Sequence, residues 1–286
     1  MNDLLSSSPK RMSCMEIWGG NRAIETSFEA PGLDIYVHSQ PFQNSEAGGD
    51  IYYLTSCASG RVSRFLLADV SGHGDSAAGI AKSLRDSLRQ NVNKVSQESF
   101  VKGMNREFRH LTKKSAFATA VVATFFAPSK TLDISVAGHP YPLYYHAESK
   151  RWVCLNPAET KANFENMPLG IVKETTYPRR KVKTEFGDMF LLYSDVFIES
   201  AVNGKDNSQL GVEGVLALLN GNPSVAPAEV IPFLRERIGK MATGNLLNDD
   251  ASLILGHFTE TKVSMRDNFM APIRLLRNAS DQTSFE

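Results

Sequence analysis

Apolar residues recur along this chain with two periods. Leu33, Ile35 and Val37 alternate with other positions, which is the period of a half-buried strand over 33–39. Segments 51–54 and 64–70 read as two more strands, the second ending in an acid, Asp69. A glycine turn follows at Gly72, His73 and Gly74, and Asp75 or Ser76 can cap a helix. Ala77, Ile80, Ala81, Leu84 and Leu88 then repeat at helical spacing, so this helix is predicted to run to Gln90. Phe100, Val101, Met104 and Phe108 share one face of a second helix over 98–111. Four strands are predicted next, at 117–126, 131–137, 143–146 and 152–155, separated by turn-forming residues.

Residues 156–180 are rich in Asn, Pro and Glu and read as a long loop. A strong apolar strand at 189–193 follows, with Asp195 just beyond it. Helices are predicted over 212–219 and 227–240, with Pro232 kinking the second or marking its start. A strand at 251–258 closes the pattern. Residues 1–25 read as a tail or extension, and 261–286 as a tail in which Phe269, Ile273, Leu275 and Leu276 could form a short helix. One domain over 26–260 remains. Its fold class is α+β: two antiparallel sheets packed face to face, with helices outside.

Composition narrows the function classes. The 286 residues carry 31 Lys+Arg and 31 Asp+Glu, a net charge of zero, which argues against a nucleic-acid binder. Cys14, Cys57 and Cys154 form no C-x-x-C pair and are too few for a disulfide framework. Neither a secretory signal nor an apolar run of membrane-spanning length is present. The expectation is a soluble, cytoplasmic protein with no membrane partner.

The glycine turn after Asp69 carries the first chemical signal. Gly72, Gly74 and Ala77 fit G-x-G-x-x-A, a dinucleotide fingerprint. Two features weigh against that reading. No acid lies where the ribose would need one, since 90–96 offers only Gln, Asn, Val, Lys and Ser. Asp69 would also set a negative charge against a pyrophosphate. The alternative is that Asp69 aims oxygen at a hard cation, the kind of donor Mg²⁺ and Mn²⁺ prefer.

Other acids occupy equivalent places. Asp50 follows Gly48-Gly49 and opens a strand, Asp195 follows one, and Asp249-Asp250 precedes the last one. Carboxylates gathered about 4 Å apart repel by roughly 1–4 kcal/mol per pair, so their convergence would demand cations. Two metals bridged by carboxylate suit phosphoryl chemistry.

In order along the chain stand Gly48-Gly49-Asp50, Asp69-Val70-Ser71-Gly72-His73-Gly74, Ala137-Gly138-His139-Pro140, Pro168-Leu169-Gly170, Tyr193-Ser194-Asp195 and Asp249-Asp250-Ala251-Ser252. This series resembles the SpoIIE/RsbU branch of the PPM-type metal-dependent Ser/Thr protein phosphatases, over about residues 30–258. The resemblance implies a β-sandwich flanked by helices, with two Mn²⁺ or Mg²⁺ ions at one rim. It implies Asp69 as the ligand bridging both metals and the Val70 carbonyl as a ligand of one. Asp195 and Asp249 would complete the second metal, and Asp50 would serve the first directly or through water. It further implies in-line attack of an activated water on phosphoserine or phosphothreonine of a regulatory protein, with no phosphoenzyme.

Two positions depart from the family pattern. Tyr53 stands where a second acid is common, and Val196 where Gly is usual. They keep open an alternative: a catalytically weak or inactive relative that binds a phosphoprotein partner. Control by a partner, by homodimerisation or by the first 25 residues also stays open. His73 reads as a turn residue and His139 as structural, while Phe117, Thr119, Cys57 and Cys154 read as packing residues. The pair Lys113-Lys114 reads as solvated, and Arg179-Arg180-Lys181 either as solvated or as a contact for an acidic partner.

Overall fold

Alternation along the strands sorts side chains onto the two faces of two sheets. The computed structural model describes residues 10–11, 16–57, 61–70, 75–91, 94, 96–111, 116–156, 165–202 and 208–260. In chain order the strands are β1 (Lys10–Arg11), β2 (Glu16–Gly20), β3 (Ile24–Ala30), β4 (Leu33–Gln40), β5 (Asp50–Cys57), β6 (Val62–Val70) and β7 (Ala118–Phe126). They continue with β8 (Thr131–Ala137), β9 (Leu143–His146), β10 (Arg151–Cys154), β11 (Arg180–Lys183), β12 (Met189–Tyr193) and β13 (Ala251–Phe258). The helices are α1 (Asp75–Asn91), α2 (Gln97–Leu111), α3 (Val196–Glu199), α4 (Gly211–Asn220) and α5 (Pro227–Met241).

The first sheet has seven strands in the order β1-β3-β4-β13-β12-β9-β10, and the second has six, β11-β8-β7-β6-β5-β2. Pairing is antiparallel except between the two residues of β1 and β3. The expected α+β sandwich is therefore the observed architecture. Among the described residues, no helix is long and apolar enough to cross a membrane.

Three apolar layers result. Phe65, Leu67, Val121 and Phe125 of the second sheet meet Val37, Phe190, Leu192 and Ile254 of the first, between the sheets. Ile51, Leu66, Ala68 and Val122 face outward and are covered by Leu84 and Leu88 of α1 and by Phe100, Met104 and Phe108 of α2. Leu191, Tyr193, Leu253 and Leu255 face outward from the first sheet under Val215 and Leu219 of α4 and Leu234 and Ile238 of α5. Each large side chain so buried contributes about 1.5–3 kcal/mol, which is why strand parity is fixed at so many positions at once.

Several elements differ from expectation. Strand β3 has alternating Ile24, Thr26, Phe28 and Ala30, but Thr26 is a faint apolar signal, and the strand escaped the sequence reading. Within the segment expected as a tail or extension, β2 forms the outer strand of the second sheet by pairing with β5. The expected long loop ends in β11, a charged edge strand paired with β8. Such charged edges are common and carry no strand periodicity.

Pro232 neither starts nor breaks α5, which begins at Pro227 and runs through it to Met241. Burial of Val230, Ile231, Leu234 and Ile238 on either side of the proline offsets the roughly 3 kcal/mol that a mid-helix proline costs. The helix expected in 261–286 lies outside the described residues.

Candidate metal centre

The space between the sheets is apolar along most of its length and turns polar at one end. The same alternation that buries Tyr52 and Leu54 of β5 places Asp50 on the inward face, and the alternation of Phe65 and Leu67 places Asp69 there too. The ladder sets Asp50 directly opposite Asp69. Two like charges in facing positions of adjacent strands are destabilising unless something neutralises them.

Acids from the first sheet approach the same end. Ser252 and Ile254 share inward parity on β13, and Asp250 lies one step before them. Asp249 is exposed in the preceding turn, where its Oδ1 accepts the Asp250 N–H at 2.8 Å. Asp195 follows β12 and opens α3 in helical conformation, half-buried.

Electrostatics show that these carboxylates sense one another. Burial pushes Asp69 up to about 7, aided by the charges of Asp195, Asp249 and Asp250. Asp50, 4% exposed, is raised well above the usual carboxylate range by burial, then by Asp69 and Asp250, while the hydroxyls of Ser194 and Ser252 pull the other way. Asp195 is raised by burial, then by Glu199 and Asp249, against the backbone amides of Val196 and Asp195 itself.

Among the described residues no ion pair reaches any of these five acids. Asp50 Oδ2 is buried without a hydrogen-bond partner. The set consists of hard oxygen donors with unneutralised charge and one orphaned oxygen, and it fits divalent cations such as Mg²⁺ or Mn²⁺. The gathering is loose: among the described residues no three His, Cys, Asp or Glu side chains already surround one metal-sized point.

Asp250, which the sequence reading left without a role, is the acid that ties the rim together. Its Oδ1 accepts the Phe42 N–H at 2.6 Å, and its Oδ2 accepts the N–H of Gly49 and, at 3.1 Å, that of Asp50. A carboxylate of the first sheet thus pins the start of β5 in the second. The available signal was parity: Asp250 is in step with Ser252 and Ile254, whereas Asp249 is not.

Glycine at 49 follows from the same crowding. A Cβ there would lie 3.3 Å from the Val70 carbonyl oxygen and 3.4 Å from both Asp69 Oδ1 and Asp250 Oδ2. Three of the oxygens in question therefore converge on the backbone of one residue.

The remaining motifs buttress this end. Thr119 lies opposite Asp69 on β7, and its Oγ1 is 2.9 Å from His139 Nδ1. His139 is buried, which pushes it down to about 4, so the ring is neutral, and its Nε2 has no partner. Gly138 adopts φ +71°, and a Cβ there would strike the Pro168 ring. Leu169 exchanges both backbone hydrogen bonds with Ala118, the neighbour of Val70 across the ladder. The His-Pro and Pro-Leu-Gly motifs are thus in contact with each other and brace β7 beside Asp69.

Tyr53 faces outward into the α1/α2 layer, buried, with burial pushing its hydroxyl up to about 12. An acid at this position would point away from the inward carboxylates. Val196 is buried in the layer under α4 and α5 as the first residue of α3. Ser71, Gly72, His73 and Gly74 lie outside the described residues, as do Lys113 and Lys114.

Arg179 pairs with Asp133 at 3.2 Å, so one member of the basic cluster is engaged within the fold. Cys154 is half-buried with Sγ 2.9 Å from Asn156 Oδ1.

A family model described as Stage II sporulation protein E (SpoIIE) matches residues 59–259. Among solved structures, the RsbU and RsbW domains of a Mycobacterium tuberculosis protein align with a TM-score of 0.64 at 24% identity, over 82% of this chain and 63% of that one. The PP2C phosphatase domain of Bacillus subtilis SpoIIE with a fragment of its regulatory domain gives 0.62 at 12%, over 86% and 64%. RsbX, solved in complex with magnesium, gives 0.57 at 16%, over 82% and 100%. This chain thus spans less than two thirds of the first two solved chains, and at these identities the likeness concerns the fold.

Proposed function

The chain belongs to the SpoIIE family, in the RsbU-containing branch of the PPM-type (PP2C) protein phosphatases, and on that premise we propose that it hydrolyses phosphoserine or phosphothreonine on a regulatory protein with two Mn²⁺ or Mg²⁺ ions. The observation that carries the proposal is the meeting of Asp50, Asp69, Asp195, Asp249 and the Val70 carbonyl at one end of the sandwich, with no cationic side chain paired to the acids among the described residues.

In this reading Asp69, which senses Asp195 and Asp249, would hold both ions, the Val70 carbonyl and Asp50 would help to hold one, and Asp195 and Asp249 would help to hold the other. When bound, such ions supply a nucleophilic water at neutral pH and neutralise charge on the phosphoryl oxygens. The protein's own groups orient and hold. Asp250 fixes the Gly49-Asp50 backbone, the Ser194 hydroxyl donates to the Asp250 carbonyl at 3.2 Å, and the Thr119–His139 pair fills the space behind Asp69 with neutral polar groups.

A second reading is a weak or inactive relative that binds a phosphoprotein without turning it over. It draws on the departures from the family pattern at Tyr53 and Val196, of which Val196 directly follows a proposed ligand, Asp195. Hydrolysis of p-nitrophenyl phosphate and of phosphopeptides, measured with Mn²⁺ and with EDTA, separates the two. Mn²⁺-dependent turnover that disappears in Asp69→Asn and Asp195→Asn supports the enzyme. Absence of turnover in the unaltered protein sinks it, and turnover surviving both substitutions sinks the site assignment.

A further inference from the structure

Five large apolar side chains stand exposed among the described residues, and four of them lie at the acidic end of the sandwich. Phe42, 39% exposed, is held there by the hydrogen bond that its backbone N–H donates to Asp250 Oδ1. Leu247, 58% exposed, belongs to the turn that delivers Asp249 and Asp250. Phe117, 39% exposed, precedes Ala118, the ladder partner of Val70. Ile171, 46% exposed, follows the Leu169 bridge to Ala118, and Arg109 donates to its carbonyl at 2.8 Å. The fifth, Phe186, sits beside Gly187, which bonds Phe258 at the far end of β13.

Single exposed apolar residues need no explanation, but a set concentrated around one site does. Phe42 and Leu247 flank the carboxylates from the first sheet's side, and Phe117 and Ile171 from the second's. A small phosphate ester needs only the carboxylates and their cations. A polypeptide that delivers a phosphorylated side chain to the acids must cross one flank or both.

We propose that this rim is a docking surface for a phosphoserine-bearing protein segment whose residues next to the phosphoserine are apolar. The inference rests on the phosphatase reading and deepens it, by naming the sequence context of the substrate. Charge points the same way. Asp or Glu placed beside the phosphoserine would set an unpaired charge against these apolar side chains, whereas Leu or Phe at those places finds apolar partners. Binding energy from such remote contacts is what lets a protein substrate outcompete a small ester.

The test uses the full chain with Mn²⁺ and three phosphoserine peptides, flanked by Leu and Phe, by Ser and Gly, or by Glu. Both kcat/KM and binding by fluorescence anisotropy are read, with p-nitrophenyl phosphate as a small substrate. The expected result is at least a tenfold preference for the apolar-flanked peptide, with the Glu-flanked peptide poorest. A Leu247→Ser/Ile171→Ser double variant is expected to lose most of that preference while its kcat/KM for the Ser/Gly peptide changes less than twofold.

Equal use of all three peptides by a protein that turns over p-nitrophenyl phosphate overturns the docking surface and leaves the phosphatase reading intact. If nothing is hydrolysed, the phosphatase reading fails, and anisotropy decides the surface alone: a retained apolar preference supports it, and equal binding overturns it. A double variant that turns a dimer into a monomer with unchanged peptide preference assigns the patch to a contact between copies and also overturns the proposal.

Discussion

The two halves of the acidic end are built differently. Asp69 is paired on both sides in the second sheet, with Asp50 on β5 and Thr119 on β7, and Asp50, the first residue of β5, is held opposite it. Asp195 and Asp249 belong to the first sheet's turns, one at the entrance of a four-residue helix and the other exposed. The first half is a template set by strand pairing, and the second is a closure supplied by turns.

The largest expected effect tests the template. Asp69→Asn should cut Mn²⁺-dependent turnover by roughly 10³-fold, the scale of removing a principal electrostatic element, while Asp249→Asn costs about 10–100-fold. Steady-state rates for the two variants make the comparison. Equal losses would erase the distinction between the halves.

Asp250 is the cross-tie between them. Asp250→Ala leaves the amides of Phe42, Gly49 and Asp50 without their charged acceptor and should cost about 2–4 kcal/mol of stability by urea unfolding. A change below about 0.5 kcal/mol would mean that the two sheets hold the rim without it.

Proton linkage gives the next prediction. Asp69 is raised from its ordinary value to about 7 when no cation is present. An acid raised on folding favours the native state at low pH, and that advantage is lost as pH climbs from about 4 through 7. A cation takes the ionised form, so protons and Mn²⁺ compete for it. Calorimetric Mn²⁺ affinity should rise up to tenfold between pH 6 and pH 7 and level off above pH 8, and the thermal shift on adding Mn²⁺ should grow in step. A flat profile would show that Asp69 is not where the ion binds.

The smallest effect is at Gly49. Ala there must push back the Val70 carbonyl, Asp69 Oδ1 or Asp250 Oδ2 by a few tenths of an ångström. Mn²⁺ affinity should weaken about tenfold or less, with little change in melting temperature.

The template half was the more legible in sequence. Continuous apolar runs that end at Asp69 and begin after Asp50, glycine beside acid, and motif order all point to Asp50 and Asp69, and burial on both faces holds the register. The closure half was legible by motif only, because turns have no period. Asp249 and Asp250 are chemically identical neighbours, and only their phase relative to Ile254 tells the exposed acid from the cross-tie. The outward direction of Tyr53 was readable in the same way, two positions from Ile51. Strands β3 and β11 were hidden for compositional reasons: Thr26 dilutes one apolar stripe, and Arg180, Lys181 and Lys183 replace the other.

The pairing of Asp50 with Asp69 also makes the β5–β6 hairpin its own quality control. A slip of one residue between these strands would part the two acids and, in the same movement, turn Leu54 or Leu67 away from the core. A misregistered molecule would therefore be both unstable and unable to assemble the rim. Insertions in this hairpin are tolerable only where they leave the ladder alone, in the connection between Cys57 and Val62. Any related chain that keeps the acids in register has, by that fact, kept the sandwich.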